Sequence, residues 1–524
     1  MKFYKALLVP VILLAASCNS IKKHNATLHR PIAVDAIHKD IDYTYNQLQK
    51  WQPSLYEFIS KEKLDAEFQS LKNSIDKPLT SFEFYTKLAP VVGKIGQGHT
   101  FVYPKSKRYT KKELEPYKTS KNPFNGLEFE GYNNKIYVSQ NRLKDSTLQP
   151  FDEIIALGNE NMNSFLKESE NWFSSDGYNT TFKKRTQGRK IDRFFQFKHH
   201  LIDSIPVTYV RAKDTLTTVL YREKTEAPEK KKWKEYTKKE KDSITALNEK
   251  KWKFGYDSKT NSYKRDYKFT SQDSCIAIMD INGFTNGFYS NFYKDLFLKL
   301  NNNDSEYLII DLRDNGGGRL SEIANLYSYL SPTEKYTFLE KSLVTKKTSM
   351  FKADYFKGSS KVGYVIKSIA APIYYSFMFF KIKKDKENGN YYYFTNHKEK
   401  ERNENAFMGK VYVLINGGSF SASSIIAAKL QANKRAVFVG EETGGAFNGT
   451  VAARMPIITL PNSKNKVRIG LARIGILEKT DTIGRGVFPD VEIIPTVEEF
   501  KNNEDKAMEW ILNDIEKKSN TSAE

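Results

Sequence analysis

Three short stretches of this sequence combine residue types that can carry out acyl transfer. From 411 to 445 the chain reads VYVLINGGSFSASSIIAAKLQANKRAVFVGEETGG. An apolar run closes at Ile415, Gly417 and Gly418 permit a sharp turn, and helix-forming residues begin beside Ser421. A hydroxyl there stands where helix amides converge, so negative charge developing on an attacked carbonyl oxygen would meet backbone donors and the helix dipole. The same position also suits a plain helix cap by Ser419 or Ser421. It is not a G-x-S-x-G elbow, because Ser421 falls where the last glycine of that pattern would stand.

The second stretch, YLIIDLRDNGGG at 307–318, ends an apolar strand in three glycines. Such a loop lets the backbone approach a ligand and present bare N–H groups, as an oxyanion hole or a phosphate cradle requires. The cradle lacks its G-K-[ST] continuation, since Arg319 leads directly into Leu320. The third, KIGQGHTFVYP at 94–104, places His99 between glycine-rich backbone and an apolar strand. On its own it suits a structural histidine as well as a base.

In this order the three stretches resemble the C-terminal processing (tail-specific) and tricorn-core serine peptidases of family S41, which carry G-x-x-HT, LR-x-N-x-GG and SAS or FSA segments. WQPSLYEF at 51–58 and GRGVFPDVEI at 484–493 extend the likeness over nearly the whole mature chain. The resemblance implies an α/β catalytic core of the ClpP/crotonase-like class, with an N-terminal helical domain and a PDZ-like β-rich module. It carries the nucleophile onto Ser421 and the oxyanion donors onto the amides of Ala422 and Gly317, with Gly316 as neighbour. Members with a Ser-Lys dyad have a lysine in a GKGT-like motif, where this chain has GGAFNGT at 444–450, with Ala446 or Asn448 at the lysine's place. The tricorn-like branch uses a histidine, which assigns His99 as general base. That branch has a serine where Gly98 stands and a glutamate where Ile483 and Gly484 stand, which leaves the orienting acid open among Glu441, Glu442 and Asp481. The implied reaction is endopeptidic cleavage of protein or peptide substrates through a Ser421 acyl-enzyme. The alternative is a catalytically inactive lipoprotein that binds peptides or other ligands in the same cleft. No metal or organic cofactor is expected, since the seven histidines are scattered and no HExxH occurs.

These residues need a scaffold, and 524 residues exceed one ordinary core, so two or three domains are expected. Ile37, Ile41, Tyr45 and Leu48 recur at helical spacing, which predicts a helical domain over about 30–120 that ends in the GHT segment. Between 121 and 222 short apolar alternations predict the β-rich module, in which Gly126, Leu127, Glu128 and Phe129 would form the peptide-accepting loop and edge strand. A Lys-rich linker or insertion covers 223–267. Over 268–498 strand signals at 275–280, 307–311, 411–415 and 436–439 alternate with helix signals at 320–330 and 422–433, the pattern of a partly parallel α/β sheet. A Lys-, Tyr- and Phe-rich insertion interrupts that core at about 336–407, and a C-terminal helix and tail fill 499–524.

The formal net charge of +21 raises polyanions as partners, yet stretches such as EKKKWKEYTKKEKD at 229–242 interleave acids in the manner of a solvated helix face. No nucleic-acid-binding motif accompanies the charge, and none is expected as a partner. The opening MKFYKALLVPVILLAASCNS has a secretion signal's basic start and apolar run, with Cys18 at a lipobox-like site. Residues 1–18 then form a lipoprotein signal, Cys18 a lipid anchor in the cell envelope, and Asn19 directs it to the outer membrane, facing the periplasm. Cys275, the other cysteine, is left without a disulfide partner. Beyond the signal no uninterrupted run of about 18 apolar residues occurs, so no further membrane span is expected.

Overall fold

The structure is a computed structural model that describes residues 21–224, 233–258, 260–270, 275–353, 355–393 and 397–523. The signal sequence and Cys18 lie outside the described residues.

The helical periodicity near the amino terminus resolves into helices Val34–Trp51, Lys61–Asn73 and Ser81–Gly93. The first buries Ile37, Ile41, Thr44 and Leu48, one stripe at spacings of four, three and four. Ser60 caps the second through the Lys63 amide. Thr80 and Glu83 form a reciprocal capping box on the third, which satisfies donors that a helix start otherwise leaves unpaired. This last helix ends at Gly93 and delivers the GHT segment, whose following strand Phe101–Tyr103 pairs antiparallel with Lys466–Arg468 from the far end of the chain.

The β-rich module is an antiparallel sheet in the order Leu127–Tyr132, Lys135–Asn141, Glu153–Leu157, Ser204–Arg211 and Asp214–Tyr221. Helices Met162–Ser169, Thr181–Arg189 and Ile191–His199 lie between its third and fourth long strands. Its apolar residues join those of the helical region in one core, with Trp172, Phe165 and Tyr85 fully buried together. The polar stretch that follows carries helix Lys238–Phe254, with a Thr237–Glu240 capping box and no buried residue.

The α/β core is a six-stranded sheet in the order Arg265–Phe269, Ile276–Ile281, Tyr307–Asp311, Lys410–Ile415, Val437–Gly440 and Val491–Glu492. Only the first pair is antiparallel. Its central strands read as unbroken apolar runs because both faces are covered. One face packs on helices Tyr289–Asn302, Leu320–Ser328 and Ala422–Ala432, the other on Ala507, Ile511 and Ile515 of the C-terminal helix Lys506–Ala523. The glycine loop and the serine segment both leave the carboxyl ends of adjacent parallel strands, where ligands bind in open α/β sheets.

The segment 336–407 builds part of a second sheet, ordered Ile382–Lys384, Tyr391–Tyr393, Ser342–Val344, Ala472–Ile474 and Thr450–Ala452. It also contains helix Lys361–Lys381, which corrects the expectation of no second membrane-length segment: 362–381 has a window of mean hydropathy 1.2 and is long and apolar enough to cross a membrane. Lys367, Ser368, Pro372 and Ser376 break any uninterrupted apolar run there, although the average over the window stays apolar.

Candidate active site

Strand Lys410–Ile415 stops at the surface of the sheet, and the chain turns through Gly417 and Gly418 before helix Ala422–Ala432 begins. The space available explains the glycines: a Cβ on Gly417 would lie 2.4 Å from the Thr181 carbonyl, and one on Gly418 2.5 Å from Asp314. Ser421 occupies the cap position with φ 59° and ψ −120°, a backbone state that costs a non-glycine residue on the order of 1–3 kcal/mol. It makes no side-chain cap bond, so helix capping does not account for it. Instead its Oγ lies 2.9 Å from Nε2 of His99, 322 positions earlier in the chain. Two neighbouring serines are engaged elsewhere: Ser419 donates to the Leu312 carbonyl at 2.7 Å, and Ser424 to the Ser419 carbonyl at 2.7 Å.

His99 is held from three sides. Its ring packs tilted on Phe420 at 5.0 Å, and Phe420 stacks in turn on Phe182 at 4.2 Å. Its carbonyl accepts from Nε of Arg468 at 2.7 Å. The preceding amide, Gly98, donates to Oδ1 of Asp176 at 2.7 Å. A Cβ on Gly98 would meet the Phe420 ring at 2.6 Å, the reason no serine fits there. Burial, with the Arg468 charge adding to it, holds the His99 pKa down at about 3, so the imidazole is neutral at neutral pH and able to accept a proton.

Asp176 carries no signal in the sequence, since it sits in the polar run SSDG at 174–177. In the fold it is fully buried beneath the site, and its carboxylate also accepts from Thr450 Oγ1 at 3.2 Å and the Ala446 amide at 3.4 Å. Burial raises its pKa to about 6 despite these donors. Its loop is pinned to both ends of the chain, with Gly177 N–H donating to the Gly96 carbonyl and Tyr178 N–H to that of Gly484. The three acids expected from sequence lie elsewhere. Glu441 accepts from the Gly417 amide at 3.2 Å, Glu442 is paired with Arg485 and the Gly486 amide, and Asp481 is exposed. No hydrogen bond joins any of them to His99.

The glycine loop abuts the serine directly. Gly317 has φ +93°, and a Cβ there would fall 2.7 Å from the Phe420 carbonyl, 2.8 Å from the Ala422 amide and 2.8 Å from Ser421 Cβ. Asn315 ties the two segments together: its carbonyl accepts from the Phe420 amide at 3.0 Å, and its Oδ1 accepts from the Gly317 amide at 2.9 Å. The Gly317 donor expected for an oxyanion is therefore occupied by Asn315 in this arrangement. Ala422 supplies the first amide of its helix, which has no intrahelical acceptor, and beside Gly316 there is open space. The loop is clamped from outside by Arg185, which donates to Asp314 at 2.7 Å and 2.8 Å and pairs with Glu130 of the β-rich module at 2.9 Å. Arg189 makes the same double connection. These guanidinium groups hold the Asp314 carboxyl well below the usual carboxylate range.

In the module, Leu127–Tyr132 is an edge strand. The side chains of Leu127 and Phe129 point into the core, and helix Thr181–Arg189 packs on the strand so closely that a Cβ on Gly188 would lie 2.4 Å from the Gly131 amide nitrogen.

Residues 275–493 match the family model described as Peptidase family S41. Among solved structures, mature CPAF has the same fold at a TM-score of 0.54 and 13% identity, over 89% of this chain and 94% of that one. Mature CPAF complexed with lactacystin gives 0.56 and 14%, over 92% and 97%. No curated protein matches the chain in sequence.

Proposed function

We propose, from the premise that this chain is a serine peptidase of family S41, that it cleaves extended or carboxyl-terminal protein segments at the cell envelope through a Ser421 acyl-enzyme. The observation that carries this reading is the 2.9 Å contact between Ser421 and His99, made by a strained serine at a helix start with a neutral imidazole. His99 Nε2 takes the hydroxyl proton as Oγ attacks the peptide carbonyl. The oxyanion forms against the Ala422 amide and the glycine loop, where Gly316 and Gly317 contribute once Asn315 releases its hold. The proton on His99 then goes to the leaving amine, and water activated by the same imidazole releases the acyl group. Asp176 is a positioning residue: its ionised form strengthens the bond from Gly98 and so fixes the base through the backbone.

An incoming peptide is read as an added strand on the Leu127–Tyr132 edge, which lies one ion-pair layer from the glycine loop through Glu130, Arg185 and Asp314. Anchorage through Cys18 would hold the enzyme at the outer membrane, facing the periplasm. The test is intact-mass analysis after exposure to a fluorophosphonate probe, beside Ser421→Ala and His99→Ala. One adduct on the parent, absent from both variants, is expected. A parent protein that stays unlabelled while folded would favour the inactive, ligand-binding alternative.

A further inference from the structure

Helix Lys361–Lys381 presents its apolar residues outward. Val362, Val365, Ile366, Ile369, Ile373, Phe377 and Phe380 are between 52% and 76% exposed. They follow spacings of three and four, so they form one stripe along about 27 Å of helix. No charged residue interrupts it. The opposite side is seated on the protein: Met378 is buried with Met350 and Ile382, Tyr374 stacks on Tyr355 at 4.1 Å, and Lys367 reaches across to the Tyr355 carbonyl at 2.8 Å. The helix is therefore docked by one face and leaves a stripe in water that burial elsewhere would stabilise strongly.

Its surroundings identify the occupant. Exposed Lys357 lies just before the helix, and exposed Lys383, Lys384 and Lys386 follow it, with Asp385 and Glu387 as the only acids between 382 and 390. Lysines at both ends of an uncharged apolar stripe complement the charge of anionic headgroups above an acyl layer. The apolar face of a second protein would meet no such charge. Docking on one side also makes the helix lie along a surface rather than pass through it.

We propose that this helix is an in-plane membrane-binding element, its stripe inserted among the acyl chains of an anionic bilayer and its end lysines on the headgroups. It sits on the sheet whose far strand, Thr450–Ala452, carries the Thr450 hydroxyl bonded to Asp176, so the membrane contact and the catalytic cleft share one rigid support. The idea does not depend on lipidation of Cys18.

The test uses the full-length chain on vesicles of phosphatidylethanolamine and phosphatidylglycerol that contain a phosphatidylcholine with a diazirine in its acyl chain, followed by photolysis and peptide mapping. Lipid adducts concentrated at 362–380 are expected. They should be lost in Ile369→Asp/Ile373→Asp, whose exposed sites leave folding and fluorophosphonate labelling unchanged, and should weaken when phosphatidylcholine replaces phosphatidylglycerol. Absence of adducts on this segment in the parent would overturn the proposal. So would chain-to-chain cross-links there in place of lipid, which would make a second copy the occupant. Labelling indifferent to anionic lipid would refute the role of the lysines.

Discussion

Replacing Asp176 by asparagine should change how stability depends on pH. The buried carboxyl has a pKa raised to about 6, against an ordinary value of 3.8. A carboxyl that holds its proton more tightly in the folded than in the unfolded chain favours folding below its unfolded pKa. That contribution is lost as pH rises through the folded value. The difference is about 2 pKa units, and at about 1.4 kcal/mol per unit the parent should forfeit about 3 kcal/mol between about pH 3, below the unfolded value, and about pH 8, above the folded one. Asparagine has nearly the same shape and no proton to lose. It will itself cost some stability, because its amide faces the Ala446 N–H, but that cost is independent of pH. Urea denaturation of both proteins across this range isolates the effect: the stability of the variant relative to the parent should climb by about 3 kcal/mol as pH rises. A difference that stays flat would mean that Asp176 titrates alike in the folded and unfolded chain, and one that moves the other way would mean that the Gly98, Thr450 and Ala446 donors outweigh burial.

Removing the Arg468 charge with Arg468→Gln should raise the pKa of His99, while burial keeps it below an ordinary histidine's; the acid limb of the fluorophosphonate labelling rate should move toward neutral pH. Gly317→Ala forces a Cβ into the Phe420 carbonyl, the Ala422 amide and Ser421 Cβ, so labelling should fall by roughly 100-fold or more while circular dichroism shows a folded chain. Arg265 and Glu322 form a fully buried ion pair at 2.6 Å that seats the helix after the glycine loop. Arg265→Met should cost about 3 kcal/mol in thermal or urea unfolding, because Glu322 keeps only Arg319 as a charged partner and the Thr285 and Asn286 carbonyls lose a donor, and Arg265→Met/Glu322→Leu should recover only part of it.

Elements with local signals were legible before folding. Unbroken apolar runs marked the parallel strands 307–311 and 411–415, stripes at three and four marked the first helices, and glycines marked the turns where a Cβ has no room. The resemblance of their segments to family S41 pointed to Ser421 and His99, although nothing in the residues between 99 and 421 encodes the 2.9 Å that separates them. That distance exists because Phe101–Tyr103 pairs with Lys466–Arg468 and Phe420 fills the space over Gly98. Only the tertiary structure brings Asp176 beneath the base, through the Gly98 amide, while Glu441, Glu442 and Asp481 lie elsewhere. A carboxylate in a polar run reads as solvated until folding buries it under a loop from each end of the chain. The outward stripe on helix Lys361–Lys381 belongs to the same class: periodicity locates an apolar face, but which way that face turns is decided by what packs behind it.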